Sequence, residues 1–260
     1  MAASRMPVVF VGHGNPMNAL EQNNYTRGWQ RMAREMPKPR AILSISAHWY
    51  GPGTAVTIAE QPKTIHDFGG FPAELFAFDY PARGEPQLAR RVQSLLEPMR
   101  VESDEQWGLD HGTWAVLCHM YPDASIPVVQ LKIDETQPAE VHYTIAQRLA
   151  PLREEGVLLF GSGNVVHNLH TYAWGRHQPQ PFEWAVRFEQ RLRHALKERD
   201  DGVVIRYEES DREAMLAVPT PEHYLPLLYI AAVRQSDDDL KFPVEGIDGG
   251  SVSMLAIQIG

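Results

Sequence analysis

The chain has 260 residues, 43% of them hydrophobic and 22% charged, with a formal net charge of −9. That length and balance suit a globular protein with a sizeable buried core and exclude a mainly disordered chain. The negative charge, with no basic cluster to reverse it locally, argues against nucleic acid or an anionic membrane surface as partner.

Strand-length apolar runs lie at PVVFV (7–11), AILSISA (41–47), AVTIA (55–59), IPVVQLKI (126–133), VLLFG (157–161), VVIRY (203–207) and SMLAIQI (253–259). Several are apolar almost throughout, as strands covered on both faces are. Helical patterns fall between them, at roughly 22–36, 86–99, 111–122, 138–152, 181–199 and 221–234. In the second of these, Leu88, Val92, Leu95 and Leu96 form one apolar stripe. The alternation predicts an α/β fold spanning 1–260 as a single domain, with a mostly parallel or mixed central sheet flanked by helices on both faces. The stretch QPKTIHDFGGFPAELFAFDYPARGEP lacks periodicity and reads as a functional wall or as a self-packed surface loop.

No segment has the length and continuity of a signal or membrane-spanning stretch, so a soluble, cytoplasmic protein is expected. The single cysteine, Cys118, excludes an internal disulfide and fits a reducing compartment, and within HGTWAVLCHMY it reads as a small core residue.

The eleven histidines carry the chemical signal. In open α/β sheets, ligands gather beyond the carboxyl ends of the strands. His13 follows the first run in VVFVGHGNP, His48 the second in SISAHWYG, and His167 the fifth in FGSGNVVHNL. Three strand ends that deliver imidazoles to one edge point to a metal site, although imidazole alone does not choose among zinc, copper, nickel and iron. His111, at the head of a helix beside Asp110, and His223, at the opening of the last helix after a first-turn Pro221, are further candidates. Asp110 either orients His111 or caps its helix. His66 in the aromatic loop is a candidate for the pocket rim, whereas His119, His142, His177 and His194 are assigned to solvent or core. There is no phosphate-cradling loop, dinucleotide fingerprint, CxxC pair or nucleophile elbow, and GSGN at 161–164 is read as a glycine-rich turn.

Six ordered blocks, GHGNP, SISAHW, HDFGGFP, DHGTW, GSGNVVHNL and PTPEHYLPLL, resemble the LigB-type class III extradiol ring-cleaving dioxygenases, most nearly their DOPA 4,5-dioxygenase branch. The resemblance implies a mononuclear non-haem iron(II) held by His13 and His48. It makes His167 the acid/base and His111 a second active-site histidine. Relatives in the wider family complete the iron site with a glutamate. Here Glu222 and His223 stand side by side, and the branch points to His223 with Glu222 in reserve. An all-histidine set also suits Zn(2+), a possible occupant of the same site. His167 has a fourth-ligand role as its alternative. The expected partners are a small-molecule catechol and dioxygen, with Phe68, Phe71 and Tyr224 either clamping the ring or filling the core. Two rivals stand beside this reading: a zinc hydrolase built on the same cluster, and a non-enzymatic metal-binding protein of the Memo type.

Overall fold

Successive residues of the strands point to opposite sides of the sheet, and both sides are covered. In the computed structural model, which describes residues 5–175, 180–209 and 212–260, Val8 and Phe10 of β1 (Val8–Gly12) enter one hydrophobic core while Val9 and Val11 enter another. The same division separates Leu43 from Ile42 in β2 (Ala41–Ser46). The sheet continues with β3 (Val128–Gln130), β4 (Val157–Gly163), β5 (Leu240–Val244) and β6 (Ala256–Ile259). Its six strands are ordered β3-β2-β4-β1-β6-β5. The first four in that order are parallel, β6 is antiparallel to β1, and β5 is antiparallel to β6. Burial on both faces is what makes the central strands read as continuous apolar runs.

Helices pack around this sheet, among them α1 (Asn24–Glu35), α2 (Pro86–Leu96), α3 (His111–Met120), α4 (Ala139–Gln147), α5 (Glu183–Glu198), α6 (Asp201–Ile205) and α7 (Leu225–Ala231). Apolar residues of α2, α4, α5 and α7 join the core containing Phe10 and Leu43; those of α1 and α3 join the core containing Val9 and Ile42. Among the described residues, no helix is long and apolar enough to cross a membrane. Cys118 sits in α3, where burial pushes its thiol up to about 12, so it is a poor nucleophile.

Several segments depart from the sequence reading. VVIRY is not a strand: residues 201–205 form α6. The Asp200 side chain accepts a hydrogen bond from Val203 N and starts a helix that satisfies its own backbone, overriding the β-branched composition. IPVVQLKI divides into β3 and a two-residue piece, Ile133–Asp134, that pairs with Tyr50–Gly51. AVTIA supplies Ala55–Thr57, which pairs with Glu102–Asp104 outside the main sheet. β5 was not anticipated, because Pro243 interrupts LKFPV; at the sheet edge the missing N–H costs no ladder bond. GSG at 161–163 is the end of β4, not a turn. His223 lies in a turn ahead of α7, and Pro226, not Pro221, occupies the first helical turn.

Candidate metal centre and aromatic cavity

The parallel strands β1, β2 and β4 end at one edge, and the histidines begin there. His13 follows β1 directly, and its backbone N–H donates to Gly163 O at the tip of β4 (3.0 Å). His48 lies two residues beyond β2. His223 approaches from the turn before α7, where Asn164 N donates to its carbonyl at 2.9 Å. Any side chain at Gly163 would collide with that carbonyl, so glycine is required for the approach.

Hydrogen bonding fixes the orientation of these rings. Ser162 Oγ donates its only proton to Gly112 O (2.5 Å), so it accepts from His13 Nδ1 at 2.9 Å. His48 Nδ1 lies 3.1 Å from Asp67 Oδ2, an acceptor when ionised. Both imidazoles therefore carry their proton on Nδ1 and turn Nε2 lone pairs toward each other, 3.1 Å apart. Two facing lone pairs repel; a cation bound to both relieves the repulsion, and a partner on the other ring nitrogen is the usual support of a ligating histidine. His223 contacts Glu222 Oε1 through Nδ1 at 3.2 Å, while Thr220 Oγ1 donates to the same oxygen at 2.8 Å. Ligand atoms of His13, His48 and His223 lie within 4.8 Å of one another, as a mononuclear metal requires. Two overlapping groups, His48–Asp67–His111 and His167–Glu222–His223, meet the same spacing. In both, a carboxylate already faces the Nδ1 of a histidine from the first set.

Electrostatics agree with a ligand set. Burial, then the neighbouring imidazoles, hold His13 and His223 well below the usual histidine range, so both are neutral and have a lone pair available. Burial likewise lowers His167 to about 4, against an upward pull from Glu222. Burial would raise Asp67, but hydrogen bonds from His111 and His48 outweigh it and hold the carboxyl well below the usual carboxylate range. His111 Nδ1 lies 3.0 Å from Asp67 Oδ2, and its ring is held low by burial and by His48. Asp110 is a cap, not the orienter of His111. It accepts from Thr113 N, Ser46 Oγ and Gln130 Nε2, joining α3 to β2 and β3.

The rings open onto a cavity of about 220 Å³. His13, His48, His111, His167 and His223 line it together with Phe68 and Phe71, which meet edge to face at 5.3 Å. His167 stacks on His223 with ring centroids 3.5 Å apart and 8° between planes. His66 is not in the lining; it stands behind Phe68 and contacts Phe78 O at 3.0 Å. Tyr224 corrects the expectation of a ring clamp: it is fully buried outside the cavity, donates to Val204 O at 2.8 Å and packs on Tyr207. A helix starting later than expected turns this side chain into the core. His119 and His142 are buried and His194 is exposed, whereas His177 lies outside the described residues.

Sequence reasoning missed Asp67, Ser162, Trp174 and Asp248; Leu169 and Tyr172, beside His167 and His170 in the sequence, read there as a pocket wall and do line the cavity. Asp67 had a signal, since an acid beside a histidine in an aromatic loop is a natural orienter of imidazole. Trp174 and Asp248 come from a loop and a hairpin that show no periodicity.

A family model described as the catalytic LigB subunit of aromatic ring-opening dioxygenase matches residues 6–248. The chain is 49% identical over 265 residues to the 4,5-DOPA dioxygenase extradiol of Escherichia coli (strain K12), covering 100% of this chain and 97% of that relative. It is 38% identical over 250 residues to the protein of the same name from Beta vulgaris, covering 94% and 92%. A crystal structure of an uncharacterized Escherichia coli K12 protein matches with a TM-score of 0.87 at 45% identity, covering 98% of this chain and 100% of that one. Sheet order, histidine edge and sequence thus converge, and the chain belongs to the LigB family of extradiol ring-cleaving dioxygenases.

Proposed function

We propose that this dioxygenase cleaves a catechol of the L-DOPA type at the 4,5 bond, at an iron(II) held by His13, His48 and His223, in the cytoplasm. The observation that carries this reading is the pair of facing Nε2 lone pairs of His13 and His48 at the floor of an aromatic-walled cavity. A bound metal supplies open positions at which diol and dioxygen meet and a path for electrons between them.

The chain's own residues do the rest. Phe68 and Phe71 offer ring faces and edges to an aromatic substrate and keep water from it. His167, uncharged at neutral pH, accepts the proton of a catechol hydroxyl, and Glu222 stabilises the imidazolium that results. His111, whose Nδ1 lies 3.0 Å from Asp67 Oδ2, offers Nε2 as the atom that takes up and returns a proton as the oxygen–oxygen bond breaks. The ring carbon–carbon bond beside the diol breaks, both oxygen atoms enter the product as an aldehyde and a carboxylate oxygen, and no external reductant is needed. The product is a muconic semialdehyde.

Iron reconstitution without oxygen, followed by L-DOPA and labelled dioxygen, tests the proposal. The expected result is one dioxygen consumed per diol and label in both positions. Unlabelled product formed with zinc would replace it by the hydrolase reading, and no oxygen uptake with any catechol would favour a binding protein.

A further inference from the structure

Asp248 lines the same cavity as the histidines but has no part in the scheme above. It belongs to a short hairpin in which Ile247–Asp248 pairs with Val252–Ser253, and Val252 forms a bridge with His167. Tyr172 Oη donates to Asp248 Oδ2 at 2.6 Å. The Tyr172 ring lies so close to Gly249 that any side chain there would collide with it, and Ala173 N donates to Gly249 O at 2.9 Å. The carboxylate is thus held in a fixed place, unlike one on a freely rotating surface side chain. Among the described residues, no Lys or Arg forms an ion pair with Asp248.

Among the described residues, the cavity lining contains no Lys or Arg either. Trp174, 61% exposed and packed on Tyr172 at 4.6 Å, adds an aromatic face to the same rim. A carboxylate beside aromatic faces is the chemistry that recognises an organic ammonium.

We infer that Asp248, positioned by Tyr172, selects catechols whose side chain carries a protonated aliphatic amine. This inference rests on the catechol-cleaving reading, and it concerns the tail of the substrate rather than the ring. The same carboxylate repels a tail that carries only a negative charge.

The test compares dopamine with 3,4-dihydroxyphenylpropionate on the iron-loaded enzyme, reading the ratio of their kcat/KM values. Wild type is expected to favour dopamine. Asp248→Asn should reduce the ratio roughly 10- to 100-fold, the loss of one charge-assisted hydrogen bond, chiefly through the KM for dopamine. Tyr172→Phe keeps the charge but loses the bond that positions it, and should lower the ratio by less than Asp248→Asn does. An unchanged ratio in Asp248→Asn, or a fall in Tyr172→Phe as large as that in Asp248→Asn, overturns the inference. Anaerobic calorimetry with the same two catechols reports the binding ratio whether or not the ring is cleaved. Absence of turnover with intact amine selectivity would therefore count against the proposed reaction alone.

Discussion

Asp67 Oδ2 stands 3.1 Å from His48 Nδ1, and this contact determines which nitrogen of His48 faces His13. The carboxylate accepts from Nδ1, so Nε2 is the lone pair presented to a metal. Replacing Asp67 by alanine frees the ring to rotate and to change tautomer. Metal affinity should fall by roughly 10- to 100-fold, the usual cost of losing such a support. Competition against a chelator measures it, and an unchanged affinity would reduce Asp67 to a tie within its loop.

Alanine at His13, His48 or His223 should remove bound metal from a protein that remains folded. Glu222→Ala should retain most of it, because Glu222 faces Nδ1 of His223. Elemental analysis decides between them. Metal lost from Glu222→Ala but kept in His223→Ala would transfer the ligand role to the carboxylate.

His167 stacks on His223 and is expected to act as base, not ligand. His167→Ala should therefore keep its metal in the presence of catechol while single-turnover rates drop by about 10² to 10⁴, the range for a general base. Metal content and rate should be read on one preparation. Near-normal turnover at full metallation rules out the base, and loss of metal makes His167 part of the site's framework.

Tyr224 is a core residue, and its phenol matters to stability. Tyr224→Phe leaves Val204 O without its 2.8 Å donor and should lower stability by about 1 kcal/mol. The KM for catechol should not move. Urea unfolding alongside steady-state kinetics checks both halves, and a raised KM with unchanged stability would restore Tyr224 to the pocket.

His142 gives the fold a dependence on acid. Its ring is fully buried beside Tyr229 Oη at 2.9 Å, and burial lowers its pKa below 6.5, partly offset by Asp134. In the unfolded chain the ring titrates at about 6.5. Between that value and the lower folded one the unfolded state binds more protons, so stability falls as pH falls below about 6.5 and is constant in this respect above it. Unfolding titrations at descending pH should show a shallower loss in His142→Gln than in wild type. An identical slope would falsify the assignment.

How far the sequence revealed the site follows from where each residue sits. His13 and His48 were legible because an imidazole straight after an apolar run needs no tertiary information to be placed at a sheet edge. His167 was legible for the same reason, although β4 runs two residues past the expected end. His223 was found through its motif; its turn depends on packing against Gly163 that no local pattern encodes. Parallel strands announced themselves through continuous burial, while β5 did not, since an edge strand with one proline shows neither alternation nor an apolar run. VVIRY misled because β-branched composition speaks before a single aspartate cap does. Asp67, Tyr172 and Asp248 converge from distant loops, and convergence of that kind exists only in three dimensions.

β1 lies in the middle of the sheet, yet its hydrogen-bonded neighbours are β4 and β6, which are translated long after it. During synthesis VVFVG therefore waits as an unpaired apolar strand, the kind of segment that chaperones shield and that aggregates when they do not. His13 waits with it, and His223 emerges later still. The metal thus meets a complete set of imidazoles only after the chain has closed on itself. Capture of a metal ion then draws the folding equilibrium forward by mass action, so metal supply should govern the yield of soluble protein as well as its activity.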